Sequence, residues 1–567
     1  MDQSEYIEAG RRSLSQLRED CEHAAEVNEA LLMGILRDNA DTEIGRELGF
    51  ADLLSPADFK ARVPLSTYGD YEARVRRMMA GEKDVLTAYP VVHYARSSGS
   101  VGVPKNIPVS DRALPTYDAY ELKLYAAVHD EWRRAQGLGG ARGRGVWTTF
   151  AIARPEPVAP GVTAGPVSSA HYSSIRDDLR GLWGIPEFCI YADDPEAMGP
   201  ATNFLYLKTL FSLKNREVTH IDGIFSTAVY DFFLHIRRNW RPLVETIRTG
   251  RMPEQVELPE TLRAQAQASL APDPERAEEL ERVFEAGFGE PVARRIWPDL
   301  EYVTCIIVGA FAAYADKLRE YTGDVPACGR AYAASEALLA VSTSMEDSGH
   351  VMVPRTAYFE FIRAEESDLP EEKLRGRTLG MAELEVGRDY EVVVTNLSGL
   401  YRYRIGDVVT VLGHEGQSPK VVFKYRLSQV TNMAGEKTSM ACIDDAVEKA
   451  RRWSGLALPE YSIYPDYDAE PGRYVLLIEP GRDLGPVQRN DLAALLEARL
   501  EENNPSYAAK VASGTLLPLE VRVVQHDTYL LYRELMIYRG ASANQLKPVR
   551  MIDNPLKERF FFALLEE

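Results

Sequence analysis

The sequence predicts an α/β protein, with one large N-terminal lobe followed by a small α+β domain. Three observations carry this. The chain has 567 residues, enough to bury most of its apolar surface without metal or disulfide staples. Strand-like runs, YVTCIIVGA, YFEFI, YEVVVTN, VVTVLG and VVFKY, return after long helical stretches. The last quarter of the chain holds its own strand–helix alternation. Length alone allows about four units, or a few larger lobes.

Residues 1 to about 60 read as helix, since Val27, Leu31, Leu32, Ile35 and Leu36 recur at helical spacing. From about 85 to 110 the texture changes. VVHYARSSGSVGVPKNIPVS starts as a strand, passes through a loop of small residues and resumes at IPV. A helix is predicted over 117–134, a Gly/Arg loop over 137–145 and a strand over 146–151. Residues 224–250 read as helix, and 260–288 as acidic, exposed helix. The longest nearly apolar run, 302–315, is too short to span a bilayer and reads as a buried strand and turn. Beyond a hinge at 425–429 come a helix near 443–453, a strand at YVLLIEP, a helix at DLAALLEARLEENN, a strand at PLEVRVVQH and a helix near 529–538. The division is therefore 1–425 and 426–567.

Composition narrows the function classes. The chain is 45% hydrophobic and 26% charged, an average globular balance. Lys plus Arg is 65 against 85 Asp plus Glu, a net charge of −20. This excludes a general binder of nucleic acid or of an anionic membrane, which needs a basic field. A local cluster of donors can still hold a small anionic substrate. Cys21, Cys189, Cys305, Cys328 and Cys442 are scattered without metal-ligand spacing and read as reduced thiols of a cytoplasmic protein. The N-terminus, MDQSEYIEAGRRSLSQ, lacks the apolar core of a signal peptide. The sequence carries no signal for oligomeric state.

Four motifs can carry chemistry. Ser97, Ser98, Gly99 and Ser100 open a loop that ends at Lys105. Small residues let backbone amides approach phosphate oxygens, hydroxyls add donors and the lysine adds charge. The spacing is not that of the Walker loop, and an ordinary surface loop has the same composition. In Tyr332-Ala333-Ala334-Ser335-Glu336, a strand-ending Ser-Glu offers a hydroxyl to phosphate and a carboxylate to Mg²⁺, or simply a solvated carboxylate. In YRYRIGD, Gly406-Asp407 after a short strand presents a carboxylate at a turn. It suits the two hydroxyls of a ribose, or the capping of its own turn. Lys547, just before Pro548 on a Gly/Ser/Asn loop, is either a solvated lysine or one delivered to a site by a moving domain.

In this order and at these separations the four motifs resemble the acyl-adenylating superfamily of luciferase and the acyl-CoA ligases. Within it the chain is similar to the plant Gretchen Hagen family of acyl acid amido synthetases, the auxin- and jasmonate-conjugating enzymes. The likeness runs from VPLSTYGDYEARVRRMMAGE to RGASANQLKPVR, through WPDLEYVTCIIVGAFAAY, YAASEALLA, YFEF, GRDYEVVVTNLSGLYRYRIGDVV and the EKT at 436–438. YRYRIGD and RGAS-x-NQ-x-K-P-x-R carry most of it. The Arg-over-Lys bias points to a bacterial member.

The resemblance implies a large lobe of mixed sheets flanked by helices, with a β-barrel-like part, and a small mobile cap that rotates about Arg426. It implies ATP and Mg²⁺, a small-molecule carboxylic acid and an amino acid or related amine. Ser97, Ser98, Gly99, Ser100 and Lys105 would cradle phosphates. Tyr332 would lie against adenine, Ser335 would touch the α-phosphate, and Glu336 would hold the metal. Asp407 would hold the ribose, Arg426 would contact the nucleotide, and Lys547 would act during adenylation. Adenylation builds negative charge on a pentacoordinate phosphorus, which such a set is suited to neutralise. Tyr120, Leu124, Phe225 and Phe311 are candidates for the acyl pocket, or plain core residues.

Three departures are visible. The phosphate loop is one residue shorter than in the plant members, and Leu427 replaces a basic residue beside the hinge. The helix reads Tyr120-Glu121-Leu122-Lys123-Leu124-Tyr125 where plant members carry a pair of arginines, which implies a different acid. Transfer to a thiol, and a non-catalytic nucleotide-binding role, are the alternatives. Glu336, Asp407 and Lys547 are all present against the last.

Overall fold

The computed structural model describes residues 3–96, 105–138, 143–149, 152–179, 182–192, 201–308, 312–346, 349–367, 369–427, 430–431, 433, 436, 438–466, 468–469, 471–539 and 546–566. The chain is mixed α/β and divides into two compact units, Met1–Ile307 with Leu318–Phe423, and Val308–Lys317 with Lys424–Glu567.

The first unit is built around two sheets that matter for the site. One is a four-stranded parallel sheet in the order Ala327–Cys328, Tyr302–Ile306, Val218–Phe225, Arg144–Trp147. Its strands are buried, as parallel strands covered by helices must be. Each fully buried Val146, Ile221 and Val303 stabilises the unit by roughly 1.5–3 kcal/mol. The second is a seven-stranded sheet in the order Ala331–Ala333, Leu338–Val341, His350–Met352, Ser418–Arg426, Tyr403–Glu415, Asp389–Asn396, Ala357–Arg363.

Several elements differ from the sequence reading. The helix predicted from residue 224 begins at Ser226, and Val218–Phe225 before it is a central strand. Thr219, His220 and Asp222 interrupt its apolar run, yet all three are buried. Buried polar groups need partners, and the Asp222 carboxylate takes a short hydrogen bond from the Thr304 hydroxyl of the next strand. Run 302–315 is not strand and turn throughout, because a helix starts at Ala312 and continues to Thr322. The strand expected over 146–151 is Arg144–Trp147. The helix expected over 117–134 extends from Leu114 to Ala135 and contains a π-helical turn over Asp118–Lys123.

In the second unit a three-stranded sheet, ordered Glu460–Asp466, Arg473–Glu479, Glu520–Val523, carries helices Met440–Ser454 and Pro486–Asn503. Their facing sides, among them Ile443, Val447, Leu496 and Leu500, close over Tyr474, Leu476 and Ile478 in one core. The α+β alternation is as read, with Glu460–Asp466, Pro505–Ala512 and Pro555–Phe562 added.

Candidate functional site

Asp407 sits inside the long strand Tyr403–Glu415, not at a turn. The pairing with Asp389–Asn396 explains how a strand residue becomes available. Glu391 faces Val408 and Val393 faces Arg404, so Ile405, Gly406 and Asp407 oppose a single residue. A bulge of this kind bends a strand and re-aims its side chains. It needs a left-handed residue, which Gly406 supplies at φ +77. The Asp407 side chain is 3% exposed, and its Oδ2 accepts a hydrogen bond of 2.9 Å from the Tyr332 hydroxyl. Tyr332, on Ala331–Ala333, also packs its ring at 6.1 Å from Phe423. Two motifs widely separated in sequence therefore meet directly.

Ser335 and Glu336 lie in the hairpin turn between Ala331–Ala333 and Leu338–Val341, where Ala333 pairs with Leu338. The turn is closed by the Ala334 amide donating to the Ala337 carbonyl. It is held from outside by Asn396 Nδ2 on the Glu336 carbonyl, 2.8 Å, and by the Tyr117 hydroxyl on the Ala334 carbonyl, 2.9 Å. Burial, with the charges of Glu336 and Glu121, pushes the Tyr117 hydroxyl above its ordinary pKa, so it stays a donor. Lys105 Nζ lies 3.5 Å from the Tyr403 hydroxyl and over the Tyr68 ring. Tyr332, Ser335, Glu336, Asp407 and Lys105 thus share the first unit. Ser97, Ser98, Gly99, Ser100 and Phe311 lie outside the described residues.

Arg426 and Lys547 belong to the second unit. Lys547 is exposed, and the chain just after it is pinned to the sheet. The Val549 carbonyl accepts from the Ser462 hydroxyl, and Ile463 exchanges backbone bonds with Arg550 and Ile552. Buried Arg550 completes the anchor, donating to the Tyr461 carbonyl at 3.1 Å and pairing with Glu460 at 3.3 Å.

Of the four acyl-pocket candidates, Leu124 is buried in a core cluster with Leu14 and Leu17 of the first helix, and Tyr120 packs against the same cluster. Phe225 is half-buried at the end of its strand. The same helix turns Glu121 elsewhere, to within 3.5 Å of the Tyr172 hydroxyl and 3.9 Å of Arg330. Glu121, Tyr172, Asp222 and Arg330 escaped the sequence reading. The one signal was a cluster of charges, Asp118, Glu121 and Lys123, among the apolar residues of the helix's first half.

This architecture is that of the acyl acid amido synthetases. It superposes on the solved structure of AtGH3.15 acyl acid amido synthetase in complex with 2,4-DB, with a TM-score of 0.84, 25% identity, and coverage of 100% of this chain and 97% of that one. The chain belongs to the GH3 family. Its N-terminal domain matches over residues 13–327, the central domain over 350–426 and the C-terminal domain over 441–556. Among curated relatives, indole-3-acetic acid-amido synthetase GH3.8 of Oryza sativa subsp. indica is 29% identical over 93% of this chain and 88% of its own length. Indole-3-acetic acid-amido synthetase GH3.3 of Arabidopsis thaliana is 28% identical over 94% and 90%. These relatives are plant enzymes and lend no support to the bacterial origin read from arginine usage. Among the described residues no helix is long and apolar enough to cross a membrane.

Proposed function

We propose that this protein is an ATP-dependent ligase that joins a carboxylic acid to the amine of an amino acid or a related compound. A carboxylate oxygen of the acid attacks the α-phosphorus of ATP, releasing pyrophosphate and leaving an acyl-adenylate. The amine then attacks the acyl carbon, the carbon–oxygen bond breaks, and AMP leaves with that oxygen. The observation that carries this reading is the Tyr332–Asp407 hydrogen bond beside the Ser335-Glu336 turn, in a chain that matches all three GH3 domains.

Asp407 would accept from the ribose hydroxyls, with Tyr332 fixing its carboxylate and presenting its ring to the adenine. Ser335 would donate to the α-phosphate, while Lys105 and residues 97–100 neutralise the others. Glu336 fits a magnesium ligand, being a hard oxygen donor on a hairpin turn tied by Asn396, and Mg²⁺ uses one or two carboxylates with phosphate oxygens and water. Bound there, Mg²⁺ supplies charge neutralisation at the phosphates. Lys547 would reach the α-phosphate during adenylation, and Arg426 would contact the nucleotide beside the hinge. The compactness of the second unit supports reading 426–567 as a cap that moves between half-reactions. Five free thiols, four of them buried, suit a reducing compartment such as the cytoplasm.

The test is incubation with ATP, Mg²⁺, a panel of acids and the proteinogenic amino acids, read by mass spectrometry. Pyrophosphate with an amide product is expected. Product formed only with CoA or a carrier thiol would replace the amine by a thiol acceptor, and no pyrophosphate with any acid would overturn the enzyme assignment.

A further inference from the structure

The parallel sheet carries a polar cluster that the adenylation chemistry leaves unused. Register places Trp147 beside Asp222, Asp222 beside Thr304 and Thr304 beside Cys328. One row of side chains therefore crosses all four strands near their carboxyl ends, where ligands of open α/β sheets bind. Above Asp222 stands Arg330, two residues before Tyr332 of the nucleotide motif. Its guanidinium lies 3.5 Å from Asp222 Oδ1, 3.1 Å from the Tyr172 hydroxyl and 3.9 Å from Glu121. Arg330 thus stands between two carboxylates, and Asp222 also faces His220 Nε2 at 3.5 Å. The Glu121 carboxylate arrives on the π-helical turn Asp118–Lys123, a helix defect that recurs at functional sites.

Two groups of the cluster are buried without a hydrogen-bond partner among the described residues. His171 is 1% exposed and Trp147 is fully buried, yet among the described residues His171 Nε2 and Trp147 Nε1 have no hydrogen-bond partner. Both rings flank Tyr172, with centroids 4.9 and 4.8 Å from its own. Nδ1 of His171 is 3.9 Å from Glu121, beyond hydrogen-bond reach. Burial, reinforced by Arg330 and Lys123, lowers the imidazole pKa to about 3, so the ring is neutral. Buried polar atoms in folded proteins are satisfied in more than nine cases in ten, and two orphans beside one tyrosine mark a place suited to a hydrogen-bonding guest.

Resting on the adenylating activity above, we propose that Arg330, Glu121, Asp222, Tyr172 and His171 form the specificity determinant for the far end of the acyl acid, and that they select a neutral hydroxyl-bearing group. A hydroxyl is both donor and acceptor, so it can serve the Glu121 carboxylate and one of the unpaired N–H groups of Trp147 and His171. An apolar end would leave those groups unpaired in the dry interior, the situation in which enzymes reject a deoxy analogue most strongly. A second carboxylate would gain no free cation there, because Arg330 already faces Asp222 and Glu121.

The experiment is ATP–pyrophosphate exchange with phenylacetic, phenylpropionic and hexanoic acids, each beside its analogues bearing a hydroxyl or a carboxyl at the far end. The wild type is expected to favour the hydroxyl acid over its deoxy partner by a factor of about 10² or more in kcat/KM and to reject the diacid. Glu121→Gln and His171→Leu are expected to shrink that ratio at least tenfold, mainly through KM for the hydroxyl acid. If Glu121→Gln does not fold, Tyr172→Phe, which removes only the hydroxyl between Arg330 and Glu121, reads the same ratio. Equal use of all three acid types, or a ratio untouched in folded variants, would overturn the proposal and make the cluster structural. Absence of exchange with every acid would instead defeat the adenylation reading on which it rests.

Discussion

Replacing Tyr332 by Phe tests the nucleotide site at its best-defined contact. The change removes one hydroxyl and keeps the ring beside Phe423. The lost bond is 2.9 Å long and ends on a carboxylate that is 3% exposed. A hydrogen bond to a charged group contributes about 1.5–3 kcal/mol, which corresponds to roughly tenfold to a hundredfold in an equilibrium constant. Asp407 then loses the group that orients it, and the expected result is a fall of that size in kcat/KM for ATP in pyrophosphate exchange, with kcat/KM for the acid less affected. A double-mutant cycle with Asp407→Asn isolates the pair, and a coupling of about 1 kcal/mol or more is expected from the same bond energy. Additive effects, or an unchanged kcat/KM for ATP in a folded Tyr332→Phe protein, would refute the reasoning.

Lys547→Ala should slow adenylation far more than amide formation from supplied acyl-adenylate; equal losses in both steps would remove the role given to Lys547. His171 is neutral in the fold and protonates below pH 6.5 when unfolded, so the unfolded state takes up more protons there. Its contribution to stability is complete well above that pH and declines as pH falls toward 3, by about 1.5 kcal/mol between pH 6.5 and 5. In denaturant titrations at both pH values the wild type should lose that much more unfolding free energy than His171→Leu between pH 6.5 and 5, and equal losses would contradict it. Lys208 is buried, its Nζ has no hydrogen-bond partner among the described residues, and burial lowers its pKa to about 7. Folding with this amine is penalised below the ordinary lysine pKa, by up to about 5 kcal/mol at pH 7, and the penalty fades as pH rises toward 10. Lys208→Met should therefore stabilise the protein at pH 7 and do so less at pH 9.5, as read by chemical denaturation; a destabilised variant would show a hidden partner.

Local chemistry made much of this legible. The second unit was readable because each strand and helix there is a short run with its own periodicity. Asp407 stood out through the Gly-Asp pair, but its place in a strand did not, because the bulge depends on pairing with Asp389–Asn396, which no local pattern encodes. The strand Val218–Phe225 was missed because Thr219, His220 and Asp222 look like exposed residues until the neighbouring strand supplies Thr304. Arg330 and Glu121 were passed over for the same reason, since each is an ordinary charged residue until long-range folding brings it to the other. Tyr120 and Leu124, expected at the acyl pocket from their place on the helix over 117–134, pack with the first helix, because an apolar side chain on this helix is also what binds helix to helix.

The central claim, activation of the acid as an acyl-adenylate, is tested most directly by following the oxygen. An acid whose carboxylate carries heavy oxygen is turned over with ATP and an accepting amino acid, and the phosphate-containing products are weighed. The account expects one heavy oxygen in AMP and none in pyrophosphate, because the acid's oxygen bridges to the α-phosphorus and leaves with AMP. Heavy oxygen in inorganic phosphate, with ADP as the nucleotide product, would mean an acyl phosphate and would contradict it.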